Sequence, residues 1–168
     1  MNKEIFKTRQ EANEFIYKKI EKLSLKSQKN ACVISGGTST LELIKNLGNH
    51  TNSNINFILS DERLVSKLSK HSNSRIFYEL MKSEKFISLN NIILPEEKTD
   101  FNQLNEILEN FDNKLNKLKV GINILGIGED GHIASISKNF KVIEEKSLCF
   151  LCKSRDEDFY RISVNFNF

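Results

Sequence analysis

Three short apolar runs, ACVIS at 31–35, INFILS at 55–60 and GINILGI at 121–127, each end in a polar or glycine-rich turn. Segments of helical periodicity separate them. This alternation constrains the fold more than any other feature. A short apolar run bounded by turn residues reads as a buried strand, whereas apolar positions at helical spacing read as one face of a helix. The helical segments are 8–26, with Ala12, Phe15, Ile16, Ile20 and Leu23 on one face, and 39–47, with Leu41, Ile44 and Leu47. Two more are 72–83 and 100–119, the latter carrying Phe101, Leu104, Leu108, Phe111, Leu115 and Leu118. The runs IIL at 92–94, LCFLC at 148–152 and RISVNF at 161–166 add strands. Strands alternating with helices predict an α/β fold: a doubly wound, mostly parallel sheet of Rossmann-like type with helices on both faces. A chain of 168 residues fits one such domain, 1–168, with no repeat or linker.

Composition narrows the function classes. The net charge is only +3, from 20 Lys and 5 Arg spread along the chain. A groove reader concentrates arginine, whose fork pairs with phosphate and guanine, so nucleic acid is not the expected partner. The charged start MNKEIFKTRQEANEF has no apolar leader core, and no apolar run approaches the roughly 20 residues that span a bilayer. A cytoplasmic protein with no membrane partner is expected. Cys149 and Cys152 form a C-x-x-C, but in an apolar strand they point to opposite faces and fall short of four zinc ligands. Buried inert thiols are expected, and no metal.

In a parallel sheet, ligands sit outside the carboxyl ends of the strands. Three loops occupy such ends. SGGTST joins the first strand to a helix; Gly36 and Gly37 allow close backbone approach, and Thr38 and Ser39 add hydroxyls. It reads either as an anion cradle or as a tight turn that binds nothing. SDERLVSKLSKHSN follows the second strand and brings Asp61, Glu62 and Arg63 out of an apolar run. It reads as a surface turn or as an arginine aimed at an anion with a proton-moving carboxylate beside it. ILGIGEDGHIAS, residues 124–135, is both a G-x-G-x-x-G and a loop carrying Glu129, Asp130 and His132. Two carboxylates between the second and third glycines would repel a pyrophosphate, so the dinucleotide reading is disfavoured. In the catalytic reading His132 takes a proton from water near neutral pH and Asp130 orients the imidazole; the alternative is a structural histidine in a tight turn.

Taken together, SGGTST, SDERLV…SN and LGIGEDGHIAS resemble the signature stretches of the 6-phosphogluconolactonases, a family grouped with glucosamine-6-phosphate deaminase and ribose-5-phosphate isomerase. The resemblance implies hydrolysis of 6-phospho-D-glucono-1,5-lactone to 6-phosphogluconate in the oxidative pentose phosphate pathway, with no metal or organic cofactor. It implies His132 as general base and Asp130 as its partner. It also implies a sugar-phosphate site built from Gly36, Gly37, Thr38, Ser39, Asp61, Arg63, Asn73 and Arg161. The related deaminase pattern places a glutamate five residues after the histidine, where this chain has Ser137; Ser135 after Ala134 follows the lactonase pattern. A binding module without turnover is the second reading. Family members run several tens of residues beyond the position of Phe168 and bring a late lysine near the phosphate. A domain without that segment is expected to leave apolar surface around Phe166 and Phe168, bare or covered by a second copy, making a homodimer through the C-terminal strand region.

Overall fold

The computed structural model describes residues 3–25, 30–47, 55–82, 92–95 and 101–167. The first helix, α1 (Arg9–Ser24), starts at Thr8, whose hydroxyl accepts from the Glu11 backbone N–H at 3.1 Å. This satisfies one of the donors a helix start leaves open. Next come β1 (Asn30–Ile34), α2 (Leu41–Leu47), β2 (Asn56–Leu59), β3 (Asp61–Arg63), α3 (Arg75–Lys82) and β4 (Ile92–Ile93). A 3-10 turn (Phe101–Gln103) leads into α4 (Leu104–Leu115), followed by β5 (Lys119–Ile124), β6 (Phe140–Glu145), β7 (Cys149–Ser154) and β8 (Tyr160–Val164).

Four strands form a parallel sheet in the order β4-β2-β1-β5. Every residue of β1 is buried, and its alternate side chains feed two cores. Cys32 and Ile34 join Phe57, Leu59 and residues of α1, α2 and α3 on one face, whereas Ala31 and Val33 join Ile58 and α4 on the other. The expected α/β class, with a parallel sheet covered on both faces, is therefore the observed one. The second cover has a different make-up. The late strands build a separate antiparallel sheet, β3-β8-β7-β6, and Cys149, Leu151, Ile162 and Val164 pack with α4 beneath the parallel sheet. Periodicity identifies a buried strand but not the sheet it enters.

Ser60 is the junction between the sheets. Its N–H donates to the Ile34 carbonyl at 2.9 Å, extending the parallel ladder, while its carbonyl accepts from the Val164 N–H at 2.9 Å. One chain segment, 56–63, thus passes from the central sheet into the second one at the strand's carboxyl end. The helix expected over 72–83 begins only at Arg75, because the chain before it is held by the Glu62 carboxylate. That carboxylate accepts from the backbone N–H groups of Asn73 and Ser74, both at 2.7 Å, and so covers open donors at the positive end of α3.

The strand at 161–166 was expected to bury one face. Ile162 and Val164 are fully buried, but Arg161 and Ser163 are buried as well, because they face the polar site described below. Phe166 is half-buried against the second core, and Phe168 lies outside the described residues. Cys149 and Cys152 are buried free thiols, and burial pushes both up to about 12. Among the described residues, no helix is long and apolar enough to cross a membrane, and no cluster of His, Cys, Asp or Glu is placed to hold a metal ion.

Candidate active site

The carboxyl ends of β1, β2 and β5 open onto a cleft of about 340 Å³. All three loops singled out in the sequence reach it. Gly37, Thr38 and Ser39 form one wall, Asp61, Arg63 and Asn73 a second, and Gly128, Glu129 and His132 a third, with Arg161 closing the floor. Of the sequence-derived site residues, Gly36 and Asp130 are not on this wall. Gly36 packs against Asn73, whose Cβ would stand 2.7 Å from any side chain at that position. Asp130 stands behind His132.

The first loop is closed by Thr40, whose hydroxyl donates to the Ser35 carbonyl at 2.5 Å. This leaves residues 37–39 exposed to the cleft. The helix that follows has only seven residues, so its dipole adds little, and the polar groups here are the hydroxyls and open backbone N–H groups.

In the second loop, burial raises the carboxyl of Glu62 above its usual range, although the donors around it oppose the rise. Besides the N–H groups of Asn73 and Ser74 it accepts from the Arg63 N–H at 2.8 Å and the Ser72 hydroxyl at 3.1 Å. Three of these four donors belong to the 72–74 turn, which the carboxylate fixes, and Glu62 does not line the cleft. Asn73 is thereby set to receive Arg63 Nη1 on its side-chain oxygen, while its amide donates to the Asp61 carbonyl at 2.8 Å. Asp61 is buried and also accepts from the Ser135 hydroxyl at 2.9 Å and from Arg161 at 3.4 Å.

In the third loop, His132 Nδ1 lies 2.5 Å from Asp130 Oδ1. This hydrogen bond holds the Asp130 carboxyl below the usual range. With Nδ1–H donating to Asp130, the other ring nitrogen is an acceptor, and no partner takes it among the described residues. The imidazole lies so close to Gly128 that a Cβ there would meet ring atoms at 2.3 Å. Ala134 adopts φ 53°, a left-handed conformation unusual for a residue with a side chain, and lets Ser135 turn down onto Asp61. No helix follows the G-x-G-x-x-G: the next element is the exposed strand β6. The geometry of a dinucleotide loop is therefore absent.

Arg63 and Arg161 meet at the cleft floor. Arg161 is buried, stacks 4.9 Å from the Phe140 ring, and is gripped by Glu157 through Nε at 2.7 Å and through Nη2. Burial and the neighbouring Arg161 lower the pKa of Arg63, and its buried Nε has no hydrogen-bond partner among the described residues. Sequence reasoning missed Glu157, Ser35, Ser60 and Ser135. The Ser35 oxygen accepts from the Gly126 N–H and from the Ser60 hydroxyl, both at 3.3 Å, and so joins all three loops.

A parallel sheet whose strand ends gather a His–Asp pair and two arginines around one polar cleft defines a class, and the comparisons with known proteins agree with it. Residues 6–168 match the family described as glucosamine-6-phosphate isomerases/6-phosphogluconolactonase, and the chain belongs to that family. It is 32% identical over 149 residues to a probable 6-phosphogluconolactonase of Dictyostelium discoideum, an alignment covering 80% of this chain and 61% of that protein. It is 31% identical over 160 residues to a 6-phosphogluconolactonase of Thermotoga maritima, covering 91% of this chain and 70% of the relative. The crystal structure of a Thermotoga maritima 6-phosphogluconolactonase superposes with a TM-score of 0.78 at 27% identity, over 94% of this chain and 72% of that one. The chain thus spans about 61% of the length of the Dictyostelium relative.

Proposed function

We propose that this chain hydrolyses 6-phospho-D-glucono-1,5-lactone to 6-phospho-D-gluconate, in the cytoplasm and without a metal or organic cofactor. The observation that carries the reading is the His132–Asp130 pair, with its second ring nitrogen open, on the same cleft as Arg63. In this reading the phosphate lies against Thr38, Ser39, Arg63 and Arg161, and the lactone carbonyl faces His132.

The chemistry needs few parts. A δ-lactone is an activated ester, so a positioned base and donors for the oxyanion suffice. His132 Nε2 takes a proton from water as the water oxygen bonds to the lactone carbonyl carbon. Open backbone N–H groups of the glycine loops hold the resulting oxyanion. The tetrahedral species collapses, the bond from that carbon to the ring oxygen breaks, and the imidazolium returns its proton to the leaving oxygen. Asp130 keeps the imidazole in the tautomer that accepts first and donates later. Asp61, Asn73 and Ser135 hold the two arginines and the third loop in register.

Ser137 stands where the deaminase pattern has its catalytic glutamate, which favours lactone hydrolysis over deamination. The experiment is a turnover assay on freshly made lactone, corrected for spontaneous opening. Enzymatic hydrolysis is expected. Binding of 6-phosphogluconate without any turnover would instead favour a binding module.

A further inference from the structure

A second cavity lies behind the glycine loop. It encloses about 740 Å³, against about 340 Å³ for the cleft, and runs between α2 and α3. Gly37, Thr38, Arg63 and Asn73 belong to both cavities, so the two are neighbours. Four cations line the groove: Lys45 from α2, Lys70 from the long loop, Arg75 from α3, and Arg63. The single acid on its wall is Glu79, and Arg75 neutralises it at 3.1 Å. Leu41 and Ile76 supply an apolar side.

This balance is unlike the cleft's. There Asp61 and Glu157 pair with Arg161, and Glu129 adds a further acid. In the groove, Lys45 and Lys70 have no ion-pair partner among the described residues, and neither belongs to the machinery assigned to lactone opening. Like charges gathered in a concave wall raise the local concentration of counter-ions. Among the described residues the buried Nε–H of Arg63 also lacks an acceptor, and a buried donor without one is costly.

We propose that this groove is a second anion site. It takes a small phosphorylated metabolite whose phosphate is held by Lys45, Lys70 and Arg63 and whose organic body rests on Leu41 and Ile76. Because Arg63 serves both cavities, an occupant of the groove draws on the cation that the cleft uses, and the two ligands bind antagonistically. The site rests on the groove itself, whereas its antagonism with the cleft rests on the cleft's binding a sugar phosphate as proposed above.

The test is calorimetric titration of the intact chain with inorganic pyrophosphate at low ionic strength, where exposed lysines are least screened. Wild-type protein should show two binding events. Only one of them should be displaced by saturating 6-phosphogluconate, which should also weaken the other. Lys45→Ala/Lys70→Ala should weaken the undisplaced event by about tenfold or more, the scale of lost charged hydrogen bonds, and leave His132-dependent turnover intact. Both lysines are exposed, and an unchanged circular dichroism spectrum and melting point confirm the fold of the variant. His132→Ala should retain both events. A single event fully displaced by 6-phosphogluconate, no event at all, or two events unaffected by the double substitution would overturn the second site.

Discussion

Arg63 and Arg161 stand directly opposite each other across the antiparallel pair of β3 and β8. Two like charges at facing positions destabilise a sheet, so this pairing needs an offset. Glu157 and Asp61 supply it for Arg161, which they bind from two sides. Among the described residues, Arg63 has Asn73 on Nη1 but nothing on its buried Nε. The facing pair thus combines a committed cation with one that retains donor capacity.

From this difference, Arg63→Ala should raise KM for the phosphorylated lactone by about tenfold to a hundredfold, the scale of a lost charged hydrogen bond, with a smaller effect on kcat. Steady-state kinetics on phosphorylated and unphosphorylated lactone checks it, because the unphosphorylated substrate should lose little. An unchanged KM would remove Arg63 from the anion site.

Asp130→Asn should lower kcat by about tenfold to a hundredfold with KM nearly unchanged, since the imidazole loses the partner that fixes its tautomer. Carbon-detected NMR titration gives an independent readout. Asp130 should titrate below an ordinary aspartate, and His132→Ala should return it toward the ordinary value, because the His132 hydrogen bond is the largest cause of the depression. What the pair adds to stability is therefore present above the ordinary aspartate range and is lost as pH falls through the depressed value.

Gly128→Ala places a methyl group where the His132 ring lies, and the ring is tied to Asp130, so the imidazole must move. The expected result is a fall in kcat of about tenfold or more with little change in melting point, because the loop is at the surface. A variant with full activity would show that the ring is free to shift without consequence.

Glu62→Ala leaves the backbone N–H groups of Asn73 and Ser74 without their acceptor in a buried turn. Unmade bonds of this kind cost about 1–3 kcal/mol each, so a loss of about 2–6 kcal/mol is expected. Chemical denaturation measures it. A loss below about 0.5 kcal/mol, the usual range for surface changes, would contradict the anchoring role.

The parts legible in the sequence were those with a local signature. ACVIS, INFILS and GINILGI carry their own apolar signal, and the three loops follow them directly. Two strands had none. Asp61, Glu62 and Arg63 form β3 only because β8 lies alongside, and a run of three charges gives no local cue. Strand β6 is mostly exposed and has an irregular register between Val142 and Glu144, which breaks the alternation that marks a strand. The membership of β7 and β8 in a second sheet is likewise a tertiary fact. In the site, Arg63, Asp130 and His132 stood out by residue type and loop position, and Asn73 and Arg161 entered only through the family resemblance. Ser35, Ser60 and Glu157 did neither, and Ser135 served only as a mark of the family pattern, because single serines and a loop glutamate become informative as site residues only once β1, β2, β5 and β8 bring them together.

The central claim is that the cleft opens a phosphorylated lactone by means of His132. The measurement that bears on it most directly compares wild type and His132→Ala in lactone turnover, corrected for spontaneous hydrolysis. The side chain of His132 is 42% exposed, so the substitution should leave the fold intact. Wild type should hydrolyse the lactone, and the variant should be slower by about a hundredfold or more while still binding 6-phosphogluconate. A folded variant with undiminished turnover would contradict the claim.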